Sequence, residues 1–138
     1  MIAGPLVSIV VPAYNAENTI EATVRSVIAQ TYERWELLIC DDSSTDRTNA
    51  IVSDLCRQNS KIKLFRNEVN RGPALSRNTC LDNASGKLVA FLDADDHWHP
   101  DKLLLQISHM VTTGDRFTHC NYDIIFNSGG EKKLHRRK

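Results

Sequence analysis

The run Phe91-Leu92-Asp93-Ala94-Asp95-Asp96-His97 sets three carboxylates within four positions, at the end of an apolar segment from Leu88 to Leu92. If that segment is a strand, its period of two residues turns Asp93 and Asp95 to one face and aims two hard oxygen ligands into one small volume. Neighbouring carboxylates repel, and such a cluster becomes favourable when a cation or a set of donors sits between them. The chemistry implied is a site for Mg²⁺ or Mn²⁺ serving a phosphorylated ligand. The competing reading is an acidic turn that caps the next helix, because Pro100 suits a first helical position. A cap needs one acid, and three are present.

Two further clusters could complete such a site. Asp41-Asp42 follows an apolar stretch directly, and a carboxylate there can accept hydrogen bonds from a base N–H or a ribose hydroxyl. An Asx-type turn built with Ser43, Ser44, Thr45 and Asp46 explains the same residues structurally. Tyr14 could stack on a nucleobase, with Asn15 and the backbone of Pro12 and Ala13 beside it, or pack on the rim of a core. Arg71, Arg77 and Lys87 could bring positive charge to a diphosphate, Arg77 foremost, and Asn70-Arg71-Gly72-Pro73 leads into a helix whose first N–H groups favour anions. His97 and His99 continue the alternate spacing of the acids, but Pro100 argues against a continuing strand, and the acids alone suit a hard cation.

Elements must position these groups, and their signals alternate. Val7 to Val11 reads as a buried strand stopped by Pro12, and Ile20, Val24, Val27 and Ile28 recur at helical spacing. Trp35 to Cys40 repeats the strand signal, followed by a helix with Ile51, Val52, Leu55 and Cys56 on one face. Ile62 to Phe65 marks a weaker strand, Pro73 opens a helix ending near Gly86, and Leu88 to Leu92 is a fourth strand. Pro100 opens a helix that Gly114 closes, and Phe117 to Phe126 reads as a last strand.

Strands alternating with helices predict an α/β fold, a mostly parallel sheet with helices on both faces. If the first three strands wind outwards and the fourth returns beside the first, the crevice at their carboxyl ends gathers Pro12 to Asn15, Asp41-Asp42 and Asp93 to Asp96.

With 138 residues and 41% hydrophobic content the chain is one domain by size. Lys+Arg and Asp+Glu number 17 each, so no net charge marks it as a nucleic-acid binder. The basic stretch 131–138 reads as a solvated polar tail, or as a contact for anionic lipid headgroups. Cys40, Cys56, Cys80 and Cys120 form no C-x-x-C pair, which points to reduced, structural thiols. No signal peptide or membrane span is apparent, so the expected location is cytoplasmic.

Four segments taken together resemble the family 2 glycosyltransferases of GT-A fold. They are Val7 to Asn15 (VSIVVPAYN), Asp41 to Asp46 (DDSSTD), Asn70 to Asn78 (NRGPALSRN) and Phe91 to Asp96 (FLDADD). The resemblance implies a truncated GT-A, Rossmann-like domain over residues 1–130, the nucleotide-sugar-binding part of an inverting glycosyltransferase. It implies that Pro12, Ala13, Tyr14, Asn15, Asp42, Arg77 and Asp93 hold a nucleotide. Asp93 and Asp95 match the D-x-D motif, with Asp95 as ligand to the Mg²⁺ or Mn²⁺ that bridges the donor diphosphate. The implied partners are a nucleotide-sugar donor, UDP- or dTDP-linked by the character of Asp42, and a saccharide or lipid-linked acceptor, with peripheral membrane contact as an extension.

Ser43 stands where the family commonly has Gly. The family's catalytic base lies in a C-terminal half with no counterpart here, so no residue is assigned that role, Asp123 included. A nucleotide-sugar-binding module without turnover is therefore the alternative. A signalling receiver is disfavoured because its acid pair would follow the first strand, and a D-x-D phosphohydrolase because Asp93 lies on a late one.

Overall fold

β-branched residues dominate Val7-Ser8-Ile9-Val10-Val11, and all five are buried, as a central parallel strand covered on both faces requires. The computed structural model describes residues 4–128 and 131–136. Its elements are β1 (Val7–Ala13), α1 (Ile20–Ile28), β2 (Trp35–Asp41), α2 (Thr48–Gln58), β3 (Ile62–Arg66), α3 (Pro73–Asp82), β4 (Leu88–Phe91), α4 (Lys102–Thr113), β5 (Asp123–Ser128) and β6 (Glu131–Arg136).

The main sheet runs β3-β2-β1-β4 with every pairing parallel, so strand order reverses between β1 and β4. The three polar clusters consequently sit at the carboxyl ends of three adjacent strands, as expected from the alternation of elements. Successive right-handed crossovers in opposite directions put α3 on the face opposite α1 and α2. The alternation along the strands agrees: Val10, Leu38 and Cys40 pack with Cys80 of α3, while Ile9, Val11, Leu37 and Ile39 turn to the other face.

Pro12 does not end β1, which continues to Ala13 and pairs Pro12 with Cys40. The reason is parity. Leu92 N–H donates to Val10 O (3.1 Å), so even-numbered residues of β1 direct their backbone groups toward β4, and that ladder's last pair is Val10 with Phe91. The N–H that Pro12 lacks would point past the end of β4, so no ladder bond is lost.

The chain divides into two compact units, Met1–Leu104 and Leu105–Lys138. In the second, Gly114 closes α4 with a positive φ of 77° and an N–H bond to Met110 O, as the sequence predicts. The expected strand from Phe117 to Phe126 is displaced: residues 114–122 are irregular, and β5 begins at Asp123. It pairs antiparallel with β6, so Glu131–Arg136, read from sequence as a polar tail, has strand backbone. Hairpin pairing supplied a partner that composition could not reveal. Any headgroup contact by the basic side chains of this stretch lies outside the described residues.

Candidate functional site

At the carboxyl end of β1 and β2 lies a cavity of about 330 Å³. Pro12, Ala13 and Tyr14 form one wall and Asp42 another, with Asn70, Gly72, Pro73 and Ser76 contributed by the β3–α3 loop and the first turn of α3. Tyr14 stands at the rim 51% exposed, an aromatic face open to a flat ligand.

Asp42 is only 3% exposed, and its carboxylate is already well supplied with donors. Oδ1 accepts from Asn67 Nδ2 (2.7 Å) and Arg71 N–H (2.8 Å), and Oδ2 accepts from Gly72 N–H (2.8 Å). Burial pushes this carboxyl up, but hydrogen bonds from Asn67, Arg71, Gly72 and Ser76 outweigh it and hold Asp42 below the ordinary range. The same bonds fix the loop that carries Asn70 and Gly72, so the acid builds the cavity wall as well as lining it.

Asp41 points elsewhere. Fully buried, it accepts from Ser44 N–H (3.0 Å) and Asn49 Nδ2 (3.0 Å), which closes the turn after β2. The turn reading thus applies to Asp41, and of the two acids only Asp42 lines the cavity.

Asn15, expected to touch a nucleotide, does not line the cavity. Its Oδ1 accepts from Thr45 N–H (2.9 Å), its N–H donates to Ser44 Oγ (2.9 Å), and its φ is 46°. A short side chain with an acceptor is what lets a residue bridge two loops from the left-handed region. Neighbouring bonds, Ala16 N–H to Thr48 Oγ1 (2.8 Å) and Glu17 N–H to Asp46 Oδ2 (3.1 Å), continue the seam. Ser43 also has a positive φ, 65°, which accounts physically for glycine being the common residue at this position in the resembled family.

The acidic run departs from the strand geometry expected of it. β4 stops at Phe91, and Asp96 N–H bonds to Asp93 O (3.1 Å), so Asp93 to Asp96 form a turn rather than an alternating face. Arg77 Nη2 donates to Asp93 Oδ1 (2.9 Å), joining α3 to this turn. Burial, with the Asp95 and Asp93 charges adding to it, raises Asp96. Arg71 and Lys87 are exposed, and neither lines the cavity; nor do Arg77, Asp93 and Asp95.

Helix α1 anchors the acidic turn, a relationship sequence reasoning missed. Thr23 Oγ1 donates to Ala94 O (3.0 Å), Trp98 N–H to Ser26 Oγ (3.2 Å), and Gln30 Nε2 to His99 O (2.8 Å). Gln30 Oε1 also receives Leu103 N–H (3.1 Å). One signal was available: Thr23 falls in the buried register of Ile20, Val24 and Val27, where a hydroxyl needs a partner.

No group of three or more His, Cys, Asp or Glu side chains among the described residues could hold a metal ion unaided. The donor chemistry nevertheless fits a hard cation that takes one or two carboxylates and completes its shell with ligand phosphates. The four cysteines are unpaired, Cys40 and Cys80 being buried, and burial pushes the Cys80 thiol up to about 12. Buried and with their thiols pushed up, Cys40 and Cys80 are inert at neutral pH.

Residues 8–138 match the model of Glycosyl transferase family 2. The chain belongs to that family. It is 50% identical over 123 residues to an Escherichia coli UDP-Glc:alpha-D-GlcNAc-diphosphoundecaprenol beta-1,3-glucosyltransferase, WfgD, an alignment covering 89% of this chain and 48% of that protein. Among solved structures, S. aureus TarS 1-349 in complex with UDP-GlcNAc superposes with a TM-score of 0.74 at 31% identity, covering 79% of this chain and 32% of the other. The Pyrobaculum calidifontis mannosyltransferase PcManGT, in complex with GDP-Man and Mn²⁺, gives 0.69 at 29% identity, covering 78% and 32%. The family 2 chain thus has the GT-A architecture, and it spans about half the length of its curated relative.

Proposed function

We propose that this chain is the donor-binding part of a metal-dependent, inverting glycosyltransferase. It takes a UDP- or dTDP-linked sugar for transfer to a saccharide or lipid-linked acceptor. The observation that carries this reading is the cavity between Tyr14 and Asp42, walled by the loop that Asp42 itself organises. A flat base fits against the exposed Tyr14 ring, and a buried, ionised Asp42 offers only acceptor positions. Membership of family 2 supports transfer from a nucleotide sugar, and the undecaprenol-linked acceptor in the name of WfgD supports a lipid-linked one. Such an acceptor would bring the chain to the cytoplasmic face of a membrane, as a peripheral protein.

Asp95, with Asp93 beside it, is the group that would hold Mg²⁺ or Mn²⁺. When bound, the cation supplies Lewis-acid stabilisation to the charge that grows on a departing nucleoside diphosphate. Arg77 would share that task from α3 and keeps Asp93 oriented meanwhile. Thr23 and Gln30 hold the turn in place, so the acids need little reorganisation to meet their ligand.

Calorimetry with UDP, dTDP and GDP, with and without Mn²⁺, tests the reading in wild type, Asp42→Ala and Asp95→Ala. Metal-dependent binding of a uracil or thymine nucleotide is expected in wild type, weakened in both variants. Absence of binding by any nucleoside diphosphate would remove the donor-site reading.

A further inference from the structure

We propose that Asn67 is a positioning residue that sets which nucleobase the cavity accepts, by fixing Asp42 as an acceptor-only carboxylate of one orientation. The proposal rests on the nucleotide-binding reading above and extends it to a residue that does not itself line the cavity.

Asn67 follows β3 directly and is 7% exposed. Its backbone N–H continues the sheet by bonding to Asp41 O (3.0 Å), which aims the side chain at the neighbouring strand end. Its Nδ2 then gives one proton to Asp42 Oδ1 (2.7 Å) and the other to Ser76 Oγ (3.1 Å). Both recipients line the cavity, and Ser76 is fully buried. An ionised carboxylate has no proton to give, so the amide nitrogen and not its oxygen must face Asp42.

The count of donors then decides what the cavity reads. Oδ1 receives Asn67 and Arg71, whereas Oδ2 receives Gly72, with the rotatable Ser76 hydroxyl as a further donor to the carboxylate. A carboxylate oxygen accepts about two hydrogen bonds, so Oδ1 is filled and a base N–H meets Oδ2, where the Ser76 hydroxyl can rotate away and the backbone N–H of Gly72 cannot. A base that presents an N–H between two carbonyls, as uracil and thymine do, satisfies it. Cytosine, whose ring nitrogen at that place is an acceptor, meets an acceptor and is rejected. A buried polar group left unpaired by the wrong ligand is what makes such rejection strong.

Binding of UDP and CDP, each with Mn²⁺, separates this role from a merely structural one, because the two ligands share phosphates, ribose and metal. Wild type is expected to prefer UDP by roughly tenfold or more. Asn67→Leu, similar in size and without donors, is expected to bring the two affinities within about threefold, mainly by loss for UDP. Parallel weakening of both ligands with the ratio kept would overturn the proposal, since that is what simple loosening of the loop would do.

Should Asn67→Leu fail to fold, Asp42→Asn reads the same device. With Asn67 intact, the new amide keeps its oxygen on the two donors at the Oδ1 side, Asn67 and Arg71, and turns its NH₂ to the open position at the loss of the Gly72 bond, so preference is expected to invert toward CDP with weaker binding of both nucleotides. A retained preference for UDP would count against Asn67 as the orienting group. A wild-type chain that binds both nucleotides equally removes the proposal alone, and one that binds neither removes the nucleotide reading beneath it.

Discussion

Arg77 and Asp93, sixteen residues apart in sequence, meet at 2.9 Å and tie the first turns of α3 to the acidic turn after β4. This pair sets a cation among three clustered carboxylates, and it also occupies one of the two acids of the D-x-D motif. A diphosphate with its metal would have to exchange partners with both residues. Arg77→Ala should therefore act in opposite directions on two ligands. Mn²⁺ alone should bind a few-fold tighter because the acids lose a competing cation, while UDP with Mn²⁺ should bind about tenfold weaker for want of a charge-assisted contact. Calorimetric titration of metal alone and of metal with nucleotide tests both signs.

Asp95→Ala should abolish the metal-dependent part of UDP binding and leave the metal-free part unchanged, because Asp95 does not line the cavity. A fall in metal-free affinity would contradict that division of labour.

Thr23→Val keeps the shape of a fully buried side chain but strips the hydrogen bond from Ala94 O. A loss of about 1 kcal/mol in stability is expected. The more telling readout is binding: metal-dependent UDP affinity should fall as the acidic turn loosens, with metal-free affinity kept. Chemical denaturation and the same titrations measure the two effects.

Ser43→Gly should stabilise the chain. The φ of 65° at Ser43 strains any residue with a Cβ, and its side chain makes only a long bond to Glu68 O (3.4 Å). Glycine relieves about 1 kcal/mol of local strain and gives part of it back through the freer unfolded chain. A rise of a few degrees in thermal midpoint is the expected net result, with UDP affinity unchanged.

Acid should destabilise the fold through groups that are already visible. Asp42, Asp46 and Glu36 all lie below their ordinary values, in each case because hydrogen bonds to the charged form overcome burial. Such groups bind fewer protons when folded than when unfolded, so their contribution is complete above the usual carboxylate range at about 4 and drains as pH falls through the lowered values. Asp96, raised, acts the other way and partly offsets them. Thermal midpoints should fall as pH drops below about 4. Asp42→Asn should flatten that slope while lowering stability at neutral pH.

The sequence by itself determined the order of elements, because strand and helix periodicities are local and Val7 to Val11, Trp35 to Cys40 and Leu88 to Leu92 are short runs between longer helical ones. It narrowed the crevice: right-handed crossovers leave few ways to arrange such elements, and the one in which the fourth strand returns beside the first, the order found, puts Tyr14, Asp42 and the acidic run at neighbouring strand ends. The motifs carried the family, since four segments in order are specific where none is alone.

Only the tertiary structure decided which polar group serves which. Asn15 bridges two loops, Asp93 and Asp95 lie in a turn rather than on a strand face, and Asp42 supports its own cavity wall. Thr23 and Ala94 are 71 residues apart and Asn67 and Asp42 are 25, so no local pattern announces either bond. A polar side chain's role is set by the one donor or acceptor that folding brings within 3 Å or so of it, and that proximity belongs to the packed chain.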